Sequence, residues 1–174
     1  MREYLLAAFF LILLLGGCTR KEVKQMEVDS PAFEDGGMIP ERFGYTEENV
    51  SPPLEFSGVP EDAENLVILM DDPDAKSVAG KVWDHWVVWN IPASVRMIGE
   101  DNIPPEAVEG RNDFGETGYG GPNPPDKTHE YRIRVYALGS DIELSRGATL
   151  VDVRGAMDGK VVEKAEMTGK YPAD

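Results

Sequence analysis

Three short apolar runs, each bracketed by turn-forming residues, constrain this chain more than any other feature. Leu66–Met70 reads LVILM, Trp86–Ile91 reads WVVWNI, and Tyr131–Leu138 reads YRIRVYAL. Such lengths suit strands better than helices, and β-branched and aromatic side chains fit a pleated surface. The first two read as buried, central strands, the second closed by Pro92. The third alternates: Tyr131, Ile133, Val135 and Ala137 share one face, and Arg132 and Arg134 take the other. Glu163 to Tyr171 reads as a final strand. Leu150, Val153, Met157 and Val161 fall at helical spacing, and Thr149 with Asp152 forms an S/T-x-x-D cap. Gly155 and Gly159 weaken that helix by ~1 kcal/mol each relative to alanine.

The intervening text is rich in turn residues. Glu27 to Pro60 carries SPAFEDGG, IPERFG and SPPLEFSGVP. Ala93 to Lys127 is long and studded with glycine and proline, the composition of an ordered binding loop. There is no internal repeat and no low-complexity tract.

The amino terminus stands apart. Arg2 precedes the unbroken apolar run Leu5–Leu15, followed by Gly16, Gly17 and Cys18. The run falls short of the ~20 residues a membrane-spanning helix needs and has the length of a signal-peptide core. Leu15-Gly16-Gly17-Cys18 resembles the lipobox of prokaryotic lipoproteins. Cys18 is the only cysteine, so an internal disulfide is closed to it. The expected organisation is a lipoprotein signal peptide over 1–17, a lipidated tether over 18–26 and one domain over 27–174. The protein would then sit outside the cytoplasm, anchored to the membrane or envelope by lipid on Cys18. The rival reading is a plain leader or a membrane helix with an incidental cysteine.

The 174 residues suffice for one compact domain, and 41% hydrophobic content supports a normal core. Seventeen basic residues face thirty-two acidic ones, a net charge of -15 that argues against general nucleic-acid binding. A small local anion site remains compatible with it.

Four pieces carry chemistry. Asp71-Asp72-Pro73-Asp74 follows the first strand. Proline extends the residue before it, so Asp72 and Asp74 are expected to project together at the mouth of a sheet. Alone, this is as well read as an acidic turn. Trp83-Asp84-His85-Trp86 opens the second strand and His129-Glu130-Tyr131 the third. His85 and His129 are the only two histidines, both at strand entrances beside aromatic residues. Either alone reads as packed or superficial; together with the aspartates they suggest one shared site. Gly118-Tyr119-Gly120-Gly121-Pro122-Asn123-Pro124-Pro125 is a stiffened loop whose main-chain N–H groups could cradle an anion.

SPAFEDGG (30–37), NVSPPLEFSGVP (49–60), DDPDA (71–75), WDHWVVWNIP (83–92), GRNDFG (110–115), GYGGPNPP (118–125) and HEYRIRVYAL (129–138) occur in family order. Over Met26 to Tyr171 the chain resembles the phosphatidylethanolamine-binding protein family, whose eukaryotic members include the Raf kinase inhibitor protein. Its bacterial and archaeal branch is the nearer match. The resemblance implies a mainly β fold of two packed antiparallel sheets with short peripheral helices, one near the C-terminus. It also implies a small pocket for phosphate, acetate or phosphorylated head groups. The ligand-binding positions so implied are Asp72, Asp74, Trp83, His85, Tyr119, Gly121, Pro124, His129 and Tyr131. Two positions depart from the pattern. Lys76 stands where proline is usual, placing a cation near the rim. Asn123 stands where the bacterial branch often carries cysteine, which excludes thiol chemistry there.

The leading expectation is a binding module without cofactor or metal. Two imidazoles, the loop N–H groups and the Tyr131 hydroxyl would surround the anion, with Asp72 and Asp74 keeping the imidazoles protonated or fixing their tautomers. The alternatives are regulation of a protease or kinase by surface contact and, ranked last, a metal-assisted hydrolase. A protein partner and a homodimer stay open.

Overall fold

A computed structural model describes residues 24–173. The strands in chain order are β1 (Glu27–Asp29), β2 (Gly37–Met38), β3 (Leu54–Ser57), β4 (Asn65–Asp72), β5 (Trp83–Pro92), β6 (Met97–Ile98), β7 (Val108–Glu109), β8 (His129–Leu138) and β9 (Val161–Tyr171). Between them lie a 3-10 turn at Glu41–Phe43 and two short helices, α1 (Lys76–Ala79) and α2 (Leu150–Ala156). Leader, Cys18 and most of the expected tether fall outside the described residues. Packing begins at Met26, which is buried and donates its N–H to Glu163. No helix among the described residues is long and apolar enough to cross a membrane.

One sheet has three strands in the order β1-β3-β6; the other has six, β2-β9-β8-β4-β5-β7. The expected fold, mainly β in two packed sheets, is the observed one. The three apolar runs become the adjacent inner strands β8, β4 and β5 of the large sheet. One pairing departs from the antiparallel expectation: β2 runs parallel to β9. This two-residue edge is set by its entry turn, where Gly36 N–H reaches Thr168 O and Ile39 N–H reaches Lys170 O.

Alternation along β4 explains the layering. Leu66, Ile68 and Met70 face the small sheet, in a cluster with Leu54, Phe56, Trp86 and Ile133. Val67 and Leu69 face the opposite way, against Trp89 and the α2 residues Leu150 and Val153. All eight residues of β4 are buried because both faces of the sheet are covered. Each such aliphatic side chain contributes roughly 1.5–3 kcal/mol by leaving water.

The polar face of β8 departs from a simple half-solvated ribbon. Arg132 and Arg134 both donate to the buried carboxylate of Asp71, and Arg154 of α2 approaches it at 3.6 Å. A carboxylate that is 1% exposed needs such partners. The C-terminal helix forms with the expected cap. Asp152 N–H donates to Thr149 Oγ1 at 3.3 Å, and Thr149 N–H donates back to Asp152 at 2.9 Å. It is shorter than its periodicity suggested: Val161 belongs to β9, because Gly159 at φ +71 turns the chain out of the helix.

Ala93 to Lys127 is ordered. β6 joins the small sheet and β7 extends the large one. Gly110 N–H to Val87 O, and Arg111 N–H to Ala148 O, tie it down between them.

Candidate functional site

The end of β4 and the starts of β5 and β8 meet at one rim of the large sheet. Asp72 is the register partner of Trp83 across β4 and β5. A cavity of about 200 Å³ opens there. Its walls include Asp72, Trp83, His85, His129 and Tyr131, five of the nine residues singled out above.

A β-bulge aims His85. Met70 pairs with Trp86, but Asp71 pairs with Asp84, so His85 is the extra residue on β5. Without the bulge His85 would alternate away from Trp86, toward α2. With it, the His85 ring packs edge-on against Tyr131, centroids 5.1 Å apart, on the side facing the small sheet.

The two histidines differ. His85 Nδ1 lies 2.6 Å from Gly120 O, which can only accept, so Nδ1 carries the proton. Burial lowers its pKa, outweighing the Gly120 carbonyl and the Asp72 charge, and the ring is a neutral imidazole. Its Nε2 is then an acceptor. His129 has Nδ1 2.7 Å from Asp72 Oδ2 and Nε2 2.8 Å from Asp126 Oδ1. Burial disfavours charge on it, but the hydrogen bonds and charges of Asp72 and Asp126 outweigh this and raise its pKa. Of the two roles expected of the aspartates, keeping the imidazoles protonated or fixing their tautomers, neither holds at His85, whose tautomer is set by Gly120. His85 is too dry to be charged, and both donors of His129 are consumed by carboxylates.

The aspartates also divide. Asp72 Oδ1 accepts from the N–H groups of Asp74 and Ala75, so both its oxygens are engaged. Asp74 does not project beside it. Its carboxylate accepts from Glu130 N–H at 3.0 Å and staples the α1 turn to β8, outside the cavity wall.

In the glycine-proline loop, the donors of two glycines expected in an N–H cradle are engaged elsewhere. Gly120 N–H donates to His85 O, and Gly121 N–H to Asn49 Oδ1. Those donors are spent inside the protein, and Pro122, Pro124 and Pro125 have none. A Cβ on Gly121 would lie 2.1 Å from Phe43 O, so glycine here permits close backbone packing. Tyr119 donates to Phe43 O and packs edge-on against Trp86, away from the cavity. Gly121 and Pro124 also stand outside the wall; Asn123 and Pro125 form it instead. Lys76 is exposed on α1 and does not line the cavity.

Sequence reasoning missed Phe114, which lies 5.5 Å from Trp83 and 5.6 Å from His85, both edge-on, and stacks on Tyr45 at 3.9 Å. It sits in the quoted GRNDFG segment, but nothing local showed that this loop reaches the cavity. Ala75, Val78 and Ala79 complete an apolar side. Two wall residues carry buried polar groups without a hydrogen-bond partner: Trp83 Nε1 and the Tyr131 hydroxyl. The Asn123 main chain acts on that hydroxyl but does not reach hydrogen-bond geometry with it. Trp83 Nε1 and the Tyr131 hydroxyl are thus buried and unpaired in an aromatic frame that includes the His85 ring. No group of three or more His, Cys, Asp or Glu is placed to hold a metal among the described residues.

Two packed sheets with a small, aromatic-walled cavity where the inner strands end define the ligand-binding fold of the phosphatidylethanolamine-binding proteins. The model of the family described as "Phosphatidylethanolamine-binding protein" matches residues 29–172, and the chain belongs to that family. A UPF0098 protein of Methanothermobacter thermautotrophicus is 43% identical over 84% of this chain and 98% of its own length. One from Pyrococcus abyssi is 35% identical over 97% of this chain and 98% of its own length. Among solved structures, the phosphatidylethanolamine-binding protein homolog CT736 from Chlamydia trachomatis superimposes with a TM-score of 0.81 at 38% identity, covering 86% of this chain and 99% of that one. E. coli YbcL, described as a new member of the mammalian family, gives 0.80 at 32% identity, covering 87% of this chain and 100% of that one.

Proposed function

We propose that this protein binds a small oxyanion, such as phosphate, acetate or a phosphorylated head group, and does so outside the cytoplasm, held to the membrane by lipid on Cys18. The observation that carries the reading is the pair of unpartnered donors, Trp83 Nε1–H and Tyr131 O–H, in walls shared with a neutral His85. A buried donor without a partner costs free energy that a ligand oxygen would recover. The His85 acceptor adds a second requirement. The ligand must bring a proton, or His85 must take one up on binding. A monohydrogen or dihydrogen phosphoryl group, or a carboxylic acid, meets it; a bare dianion does not.

Affinity should therefore fall as pH rises through the second ionisation of a phosphate monoester, near ~6. Calorimetric titration with inorganic phosphate and with phosphorylethanolamine at pH 5.5, 6.5 and 8 tests this. Equal phosphorylethanolamine affinity at all three values would remove the His85 acceptor from the argument; inorganic phosphate, which keeps a proton at each of them, is the control. No heat of binding with either compound would remove the oxyanion reading.

A further inference from the structure

Residues 123–128 form a strap that supplies two cavity walls, Asn123 and Pro125. Among the described residues its hydrogen bonding is sparse. Tyr45 N–H donates to Pro122 O just before it, and within it the one hydrogen bond is between Asp126 and His129. His129 cannot follow the strap outward, because its side chain is fully buried and its other nitrogen is bonded to Asp72 of β4. A carboxylate oxygen only accepts. A ring bonded to one on each side must donate twice, and so must carry a proton on each nitrogen. Asp72–His129–Asp126 is thus a three-part clasp closed by a single extra proton, joining the sheet to the cavity wall.

We propose that Asp126 is the positioning residue of the cavity, holding the Asn123–Pro125 wall in place through the His129 imidazolium, so that the wall loosens when that proton leaves. The proposal deepens the ligand-binding reading, on which its functional meaning rests. The charged and titratable groups facing the ring are Asp72 from β4 and Asp126 from the strap; Tyr131 shares its strand, and Tyr171 is its register partner on β9. No cation is hydrogen-bonded to the ring among the described residues, so loss of its proton leaves two carboxylates facing a neutral imidazole. The direction of the His129 shift agrees: the clasp is complete below the ring's raised pKa and fails as pH rises through it. Asp126 is 40% exposed, so its loss should leave the core intact.

The test uses the unliganded protein. Side-chain NMR of His129 should show both ring nitrogens protonated at pH 6, and titration should return a midpoint above that of a free histidine. Asp126→Ala, which leaves no acceptor, should lower that midpoint and drop the backbone order parameters of Asn123 and Lys127 from about 0.85 to below about 0.6. Asp126→Glu should restore part of both. Wild type taken above the His129 midpoint should acquire the same mobility. Unchanged order parameters and midpoint in Asp126→Ala would overturn the proposal, as would a His129 ring with one unprotonated nitrogen at pH 6. If the strap responds as described but neither phosphate nor phosphorylethanolamine binds, the clasp stands and the oxyanion reading falls.

Discussion

Tyr131→Phe separates stability from binding at a single atom. The Tyr131 hydroxyl is buried and without a hydrogen-bond partner, and burial pushes its pKa upward. Leaving a buried hydroxyl unsatisfied costs about 1–3 kcal/mol. The nearby Asn123 amide relieves part of this, so the lower end, about 1 kcal/mol, is the appropriate figure. Phenylalanine keeps the ring and its edge-on contact with His85 at 5.1 Å. Urea unfolding of the variant should therefore show a stability gain of about 1 kcal/mol, with an unchanged denaturant slope. Binding should move the other way. Losing a donor to a charged oxygen should weaken phosphate affinity about tenfold, or ~1.4 kcal/mol, measured by calorimetry. A variant less stable than wild type by 1 kcal/mol or more would mean that the hydroxyl already has a good partner, and the argument for a ligand-seeking donor would fail.

Gly121→Ala should destabilise by about 3 kcal/mol in urea, because its Cβ meets the Phe43 carbonyl, backbone that cannot swing aside; a shift below 0.5 kcal/mol would show the loop to be pliant. Asp84 has its pKa raised to about 6 by burial, then by repulsion from Asp113 and Asp71. The folded state thus binds its proton more tightly than the unfolded chain, and stability is lost as pH rises from about 4 to about 6. Asp84→Asn should raise the thermal midpoint at pH 7.5 and lose that advantage near pH 4; a pH-independent difference would contradict the assignment. Cys18→Ser should abolish fatty-acid labelling in cells and release the protein from the membrane pellet; a variant that stays labelled and sedimenting would exclude lipidation at that thiol.

The inner strands were legible in the sequence because their signal is local. LVILM, WVVWNI and the alternating YRIRVYAL must bury their side chains wherever the chain goes, and strand geometry follows from that need. The helix cap at Thr149 was legible for the same reason. The helix end was not: the Met157-to-Val161 spacing continues the helical rhythm, and only Gly159 breaks it. Convergence of Asp72, His85, His129 and Tyr131 on one rim could be expected from their shared position at strand ends, whereas Trp83 was implied only by the family resemblance.

What each of those groups does was decided by the tertiary structure alone. Proton positions depend on partners distant in the chain: Gly120 for His85, and Asp72, 57 residues away, for His129. The bulge that turns His85 inward is a property of pairing with β4, invisible in β5 itself. Asp74, Tyr119 and Gly121, ligand positions by family resemblance, are held in a staple, an edge-on ring contact and close backbone packing, and Pro124 stands outside the cavity wall. Burial tendencies are written residue by residue, whereas a hydrogen-bond network, and the charge it stabilises, exists only once the sheet and its loops have closed around it.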